Sequence, residues 1–276
     1  MHGSLALENG VVWLARYGDR PNVTAYDLDG HRLGPGFDLG KLEDGAPSVT
    51  GIDVDGEHGL WLADERQGRV RGFNVFGVEG ASVGDGRCER ASCVRASGAD
   101  EERRIWVGCS GRRHDGVLAF EPDGTAAGGL RCLGDPAKEF RDVVGIAIGE
   151  RLSYVCEWRA GRVQVFRDLE FHFSFTLGGR EPFEPTAAAP LSDGRVVVTA
   201  RGVASGLHLF DEAGRHLAAL AEHGEDAGAV FEPSDVVVEE GADDRHTRVV
   251  VVDRDGDRVQ VFSLSGACYG SFPELA

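Results

Sequence analysis

The chain has 276 residues, 42% of them hydrophobic, and its 46 acidic and 29 basic residues give a net charge of −17. This negative charge repels phosphate backbones, so we expect no nucleic-acid partner. We also expect no membrane partner, because no apolar run approaches the roughly 18 residues of a spanning helix. The N-terminus shows no basic region followed by an apolar stretch, as a secretory signal would, so we expect a cytoplasmic protein.

A pattern of short strands recurs along the whole chain at intervals of roughly 40–50 residues. Its clearest copies read VVGIAI, SYVCE and GRVQVF from Val143 onward, and PSDVVV, VVVVD and DRVQVF from Pro233 onward. A further copy reads VTGIDV, LWLAD and GRVRGF from Val49 onward. Four short strands per repeat at this period, separated by turns rich in Gly, Asp and Glu, are typical of a β-propeller. We therefore predict an all-β fold, a six-bladed β-propeller with four antiparallel strands per blade.

The chain is predicted to form one domain, residues 1–276, whose blades follow one another in sequence. In chain order the blades are expected to cover residues 4–40, 48–85, 89–134, 139–179, 185–222 and 233–272. In the second blade the strands are expected at 51–54, 60–63, 69–75 and near 81–83. The first and last copies each hold a full set of strands. We therefore expect blade six to close the ring by packing on blade one, without exchanging a strand.

These motifs resemble the NHL repeat, in which P-x-G-I-A-V is followed by V-A-D and then by N/G-R-V-Q-V-F. The resemblance is strong in copies two, four and six and faint in the other three. It implies a six-bladed propeller whose blades each place their first strand innermost. The family includes recognition domains of ligases, a peptide-amidating lyase and many bacterial proteins of unknown role. It is distantly similar to gluconolactonase-like and strictosidine-synthase-like propellers, and this kinship predicts a fold without deciding a function.

One residue of each copy ends the second strand and is expected at the mouth of the central channel, on the face called the top. In chain order these residues are Arg16, Asp64, Cys109, Glu157, Arg201 and Asp253. The acids have two interpretations. Asp64 and Asp253 can accept backbone N–H bonds within their turns. Alternatively, Asp64, Glu157 and Asp253 together hold Ca²⁺ or Mg²⁺, which prefer carboxylate oxygens.

The odd-numbered copies depart from the acid of the pattern, which suggests a binding site at the top face. Arg16 and Arg201 can clamp a carboxylate or phosphate, or can be neutralised by the neighbouring acids. Tyr17 and Trp158 add aromatic surface beside them, as in many ligand and protein-contact sites. The pattern predicts a binding module that presents its top face to a small anionic molecule or to a protein.

The third copy has the longest loop after its second strand, residues 110–116, which contains Arg113 and His114. Nearby arginines can lower the pKa of the Cys109 thiol and make it a nucleophile, whereas burial would leave it inert. The chain has six cysteines and no C-x-x-C motif, and in a cytoplasm we expect free thiols. The alternative is a local disulfide, because residues 88, 93, 109 and 132 cluster in or near this copy.

An enzyme is the alternative function. A lyase or hydrolase would use Glu157 as the base and the two arginines as clamps, with Cys109 and His114 as further catalytic candidates. The sequence requires no cofactor, and no trio of histidines suits a zinc site of the amidating-lyase type. A scaffold with no special site is the third interpretation.

Overall fold

The computed structural model describes residues 2–17, 21–42, 45–57, 59–111, 116–130, 137–178, 182–253 and 258–272. These residues form six four-stranded sheets, each built from four consecutive antiparallel strands. The predicted six-bladed β-propeller is therefore confirmed. The first strands of neighbouring blades contact one another around the whole ring, including those of blades six and one. No helix among the described residues is long and apolar enough to cross a membrane.

The strands of each blade follow in chain order. Blade one contains β1 (His2–Glu8), β2 (Val11–Tyr17), β3 (Asn22–Tyr26) and β4 (Phe37–Asp38). Blade two contains β5 (Val49–Val54), β6 (Gly59–Asp64), β7 (Arg69–Asn74) and β8 (Glu79–Val83). Blade three contains β9 (Arg90–Ser97), β10 (Arg104–Ser110), β11 (Gly116–Phe120) and β12 (Ala126–Gly129). Blade four contains β13 (Val143–Ile148), β14 (Ser153–Glu157), β15 (Arg162–Arg167) and β16 (Glu170–Phe175). Blade five contains β17 (Glu184–Pro190), β18 (Val196–Arg201), β19 (Gly206–Phe210) and β20 (His216–Glu222). Blade six contains β21 (Pro233–Glu239), β22 (Arg248–Asp253), β23 (Arg258–Phe262) and β24 (Cys268–Phe272). Short 3₁₀ turns cover Leu39–Lys41, Asp100–Glu102 and Gly202–Ala204.

The inner strand of blade two begins earlier than residue 51, where the sequence placed it. Pairing with β6 starts at Val49, and a β-bulge at Thr50 shifts the register before Gly51. A bulge inserts one unpaired residue and turns its side chain away from the regular alternation. The regular apolar pattern therefore marks only the part of the strand beyond the bulge.

The turns between the third and fourth strands repeat one piece of side-chain chemistry. Asp27 accepts hydrogen bonds from the backbone N–H groups two and four residues later, at 3.0 and 2.8 Å. Asn74 and Asp211 do the same in blades two and five. Short polar side chains that bond to nearby backbone stabilise such turns, so these hairpins are specified locally.

The apolar core lies between the blades, and the same packing closes the ring. Leu5 and Leu14 of blade one form a buried cluster with Val252 and Val261 of blade six. Burying one such side chain contributes about 1.5–3 kcal/mol. In the described residues no strand is exchanged between the two ends, so the expected mode of closure is confirmed.

The inner strands expose an unpaired edge to the channel, and side chains of the preceding blade satisfy several of its N–H groups. Unpaired edges are costly when enclosed, because each buried donor needs an acceptor. The bonds are Leu5 N to Asp235 Oδ2 (2.9 Å), Ile52 N to Ser4 Oγ (3.1 Å) and Ala96 N to Asp53 Oδ2 (2.7 Å). The strands also approach closely: a Cβ at Gly145 would collide with the Thr186 carbonyl oxygen of the next blade.

Candidate ligand site at the top of the channel

The acids that end the second strands of blades two, four and six join each strand to the link that precedes its own blade. All three are fully buried. Glu157 is the most fully bonded: its Oε1 accepts from Arg141 N at 2.6 Å. Its Oε2 accepts from Arg162 Nε at 2.6 Å and from Gln164 Nε2 at 2.7 Å. Both oxygens of Glu157 are therefore engaged inside the blade, away from any position where a base would meet a substrate.

Asp253 and Asp64 have the same role. Asp253 Oδ1 accepts from Phe231 N and Glu232 N at 3.0 and 3.1 Å, and its Oδ2 lies 3.2 Å from Arg258. Asp64 Oδ1 accepts from the backbone of residues 48 and 67 at 3.1 and 3.3 Å. Its Oδ2 has no hydrogen bond and lies 3.8 Å from the Arg71 guanidinium. These contacts favour the structural interpretation of Asp64 and Asp253 over the shared Ca²⁺ or Mg²⁺ site.

The carboxyl groups of Asp64, Glu157 and Asp253 each have their partners within one blade. Among the described residues, the acids and histidines close enough together to share a cation are Asp27, Asp29 and His31. They lie in an outer turn of blade one, at the opposite end of the strands from the top face.

Blade three makes the same connection with a disulfide. Cys109 ends β10 and is bonded to Cys88 in the link before β9, with the two Cα atoms 5.2 Å apart. The expectation of free thiols is wrong for this pair, and the alternative of a local disulfide is correct. Because its sulfur is bonded to another sulfur, Cys109 has no thiolate with which to act as a nucleophile. Burial raises the pKa of the free Cys93 thiol to about 11, so this thiol is not activated either.

A cavity of about 430 Å³ lies at the top of the channel, and we call it the top cavity. Its floor consists of one residue from the inner strand of each blade: Gly3, Thr50, Ser92, Val144, Thr186 and Ser234. In five blades this residue occupies a β-bulge, which turns it toward the channel. The sequence interpretation missed these residues, although each is the second residue of a motif such as VTGI or PSDV.

The four hydroxyl groups of the floor hold the inner strands together. Each lies within hydrogen-bond distance of a backbone carbonyl, in three cases on the next blade, and Thr186 also contacts Thr199 Oγ1 at 2.8 Å. The bonds run from Thr50 to Ala91 O (2.8 Å), Ser92 to Gly108 O (3.0 Å), Thr186 to Pro233 O (2.9 Å) and Ser234 to Gly3 O (3.1 Å). The floor is therefore a rigid part of the ring.

Arg201 and Trp158 form one wall of the top cavity, as the sequence predicted for both. The guanidinium carbon of Arg201 lies 5.0 Å from the centre of the Trp158 ring, a cation–π contact. Arg201 is only 16% exposed, and its nearest acid is Glu232 at 3.8 Å. The buried Nε of Arg201 has no hydrogen-bond partner. An anionic ligand in the top cavity would bond to the terminal nitrogens of this guanidinium, because the Nε itself is shielded from the cavity.

A chain of ion pairs from blades two to four continues the lining beside Trp158. Arg90 lies 3.4 Å from Glu65 and 3.9 Å from Asp142, and Asp142 also contacts Arg159 at 3.3 Å. Together with Arg201, the lining therefore has three cations and two carboxylates. With Glu232 beside Arg201, the charges around the top cavity are balanced, in contrast to the net charge of −17 for the chain, so an anionic group is repelled less here than elsewhere on the surface.

The remaining predicted site residues divide into three groups. Tyr17 lines the top cavity and is 37% exposed. Arg16 instead lines a separate depression of about 690 Å³ on blade one, together with Arg32 and Lys41. The structure therefore does not bring Arg16 and Arg201 together as a clamp. Arg113 and His114 lie outside the described residues.

A buried ionic network lies in the channel beside the floor. Arg95 Nη2 donates to Asp235 Oδ1 at 3.0 Å, and Asp53 is the second carboxylate facing Arg95. Burial raises the pKa of Asp53 to about 6, although Arg95 partly opposes that rise. Two carboxylates against one guanidinium leave this part of the channel with surplus negative charge at neutral pH.

Comparison with known proteins supports the fold alone. No protein-family model matches the sequence, and no curated protein matches it either. Among solved structures, a chain of a nidogen/laminin complex is similar with a TM-score of 0.71 and 14% identity, over 95% of this chain and 92% of that one. A streptogramin B lyase is similar with a TM-score of 0.66 and 10% identity, over 99% and 83%. A virginiamycin B lyase from Staphylococcus aureus gives 0.65 and 10%, over 99% and 85%.

These neighbours include a component of a protein complex and two enzymes. The β-propeller fold is therefore compatible with binding and with catalysis, and the choice between them depends on the site.

Proposed function

We propose that this protein is a non-catalytic binding module whose top cavity holds a small anionic molecule. The observation that carries the proposal is the Arg201 guanidinium, which lines the top cavity against a half-exposed Trp158 and lies 3.8 Å from its nearest acid, Glu232. A carboxylate or phosphate oxygen would bond to Arg201, and an apolar part of the ligand would lie against Trp158. The enzyme interpretation has less support, because Glu157 is buried in its blade and Cys109 is in a disulfide.

The test is isothermal titration calorimetry with inorganic phosphate and a panel of small mono- and dicarboxylates. We expect at least one of them to bind, and Arg201→Gln to weaken its binding about 10–100-fold, because a charge-assisted bond contributes about 1.5–3 kcal/mol. Arg215→Gln is the matched control, since Arg215 is an exposed arginine in an outer turn. The proposal is wrong if no anion binds, or if both variants bind as the parent protein does.

A protein partner at the same face is the second candidate. Tyr17, Trp158 and Val203 are 37%, 38% and 78% exposed around the top face. Exposed aromatic and apolar side chains of this kind often anchor protein contacts. If Trp158→Ala abolished capture of a purified partner while Phe76→Ala, in an outer turn, did not, the top face would be the contact surface.

The motifs quoted above also lead us to propose an NHL-type propeller in which the six blades form one domain. A cytoplasmic location stays a prediction. The Cys88–Cys109 disulfide argues against it, because disulfides persist mainly in oxidising compartments.

A further inference from the structure

The floor of the top cavity differs chemically from its Arg201 wall. A hydroxyl group has one proton to donate and two lone pairs that accept. Thr50, Ser92 and Ser234 each donate their proton to a backbone carbonyl, at 2.8, 3.0 and 3.1 Å. Toward a ligand these three oxygens can therefore act only as acceptors, whereas Thr186 is buried and its hydroxyl already contacts Thr199 Oγ1 at 2.8 Å and Pro233 O at 2.9 Å. The floor suits a group that donates hydrogen bonds and is poorly suited to an anion.

The charges beside the floor have the same preference. Asp235 directly follows Ser234 in β21, and Asp53 and Arg95 lie three residues beyond Thr50 and Ser92 in their inner strands. The two carboxylates outnumber the single guanidinium, so the potential at the floor is negative at neutral pH. A ring of oxygen acceptors above negative charge is a favourable site for a cation with several N–H donors.

The upper wall has the opposite character. The guanidinium of Arg201 lines the top cavity, and Arg90 and Arg159 add two more positive charges to the lining. A ligand that matches both regions must carry a donor-rich cation at one end and an anion at the other.

We propose that the ligand of the top cavity is an amino-acid-like zwitterion, with its ammonium group on the floor hydroxyls and its carboxylate on Arg201. This inference rests on the proposed function, because it assumes that Arg201 binds the anionic group. It adds the ammonium group and the residues that receive it. Three N–H donors of an ammonium group match acceptors supplied by three blades, which gives selectivity over a simple carboxylate.

The experiment compares ω-amino acids with analogues that lack one charge. Calorimetric titration of β-alanine, 4-aminobutyrate and 6-aminohexanoate measures which spacing of the two charged groups fits the top cavity. The best of these is then compared with its N-acetyl derivative, which keeps only the carboxylate, and with the alkylamine of equal length, which keeps only the ammonium. We expect the loss of either charge to weaken binding tenfold or more.

Two variants assign the ammonium to the floor. Thr50→Val and Ser234→Ala each remove one acceptor oxygen. Thr50 is exposed, so we expect its replacement by a side chain of similar shape to leave the fold intact. We expect each variant to weaken the zwitterion about tenfold and to leave the N-acetyl derivative unchanged. Ser82→Ala is the control, because Ser82 lies on the outer strand of blade two. Circular dichroism and the thermal midpoint show whether each variant is folded.

The outcomes separate this inference from the proposed function. If the N-acetyl derivative binds as tightly as the zwitterion, the ammonium site is wrong and the anion site stands. If the alkylamine binds as tightly as the zwitterion, the Arg201 site is wrong. If neither the zwitterions nor the carboxylates and phosphate bind, both proposals are wrong.

Discussion

Replacing Asp53 with asparagine is expected to stabilise the protein at neutral pH. Asp53 and Asp235 both face Arg95 in the channel, so one of the two carboxylates lacks a compensating charge. Asp235 bonds directly to Arg95 at 3.0 Å and is the natural partner. Asparagine keeps an oxygen that can accept the bond from Ala96 N, and it removes the surplus charge.

The size of the effect follows from the pKa of Asp53. Burial raises this pKa from 3.8 to about 6, which corresponds to about 3 kcal/mol at about 1.4 kcal/mol per pKa unit. Because the side chain keeps some accessible surface in the channel, we expect about 2 kcal/mol of this to be realised. A carboxyl group with a raised pKa in the folded state binds more protons folded than unfolded, so stability falls as pH rises from about 4 to 6. The asparagine variant should therefore gain nothing below pH 4 and its full advantage above pH 6.

Urea denaturation at pH 4.0, 5.0, 6.0 and 7.5 measures this difference, and a thermal scan at pH 7.5 should show a rise of about 4–8 °C. Asp29→Asn, an exposed aspartate in an outer turn, is the control and should change little at any pH. A variant that is less stable at pH 7.5, or whose advantage does not vary between pH 4 and 7.5, would refute the charge argument.

Three further predictions concern the disulfide of blade three, the buried carboxylate of blade four and the contact between inner strands. Removing the disulfide with Cys88→Ala and Cys109→Ala should cost about 3 kcal/mol, from the closure entropy of a loop with a sequence separation of 21; equal urea midpoints for the variant and the oxidised parent would contradict this. Glu157→Ala should cost about 3–5 kcal/mol in urea denaturation because it leaves Arg162 unpaired, while ligand affinity of the folded variant stays unchanged; a selective loss of affinity would instead return Glu157 to the site. Gly145→Ala should cost about 1–3 kcal/mol, since its new Cβ meets the next inner strand, and an unchanged thermal midpoint would show that the strands move apart freely.

Part of the geometry of the top face was accessible from the sequence. Alignment of the repeats placed Tyr17, Trp158 and Arg201 at one rim, and all three line the top cavity. It also identified Asp64 and Asp253 as acceptors of backbone bonds, which the structure bears out. These results depend only on where a residue lies within its repeat, and alignment of the repeats gives that position.

Other features depend on strand pairing and on contacts within the folded structure. Arg16 and Arg201 do not occupy equivalent positions, because in the strand pairing Arg16 corresponds to Asp64, and the residue of blade five that corresponds to Asp64 is Ala200. Arg201 lies one residue further along its strand, so its side chain lies on the other side of the strand and lines the top cavity, whereas Arg16 lines a depression on blade one. The sequence did not show which cysteines of the third copy would pair. Cys88 and Cys109 pair because the folded blade brings their Cα atoms to 5.2 Å, a separation that a disulfide can span.

The sequence by itself determined the strands, their order and their turns, since strand alternation and residues such as Asp27 and Asn74 act over a few neighbouring positions. Only the tertiary structure decided that Thr50, Thr186 and Ser234 share one floor and that Arg201 stacks on Trp158 with an unsatisfied N–H. Those groups come from different blades. They meet because the ring closes and the bulges turn them inward. The repeat motif marks each floor position, but the packing between blades that brings these positions together cannot be read from any one repeat.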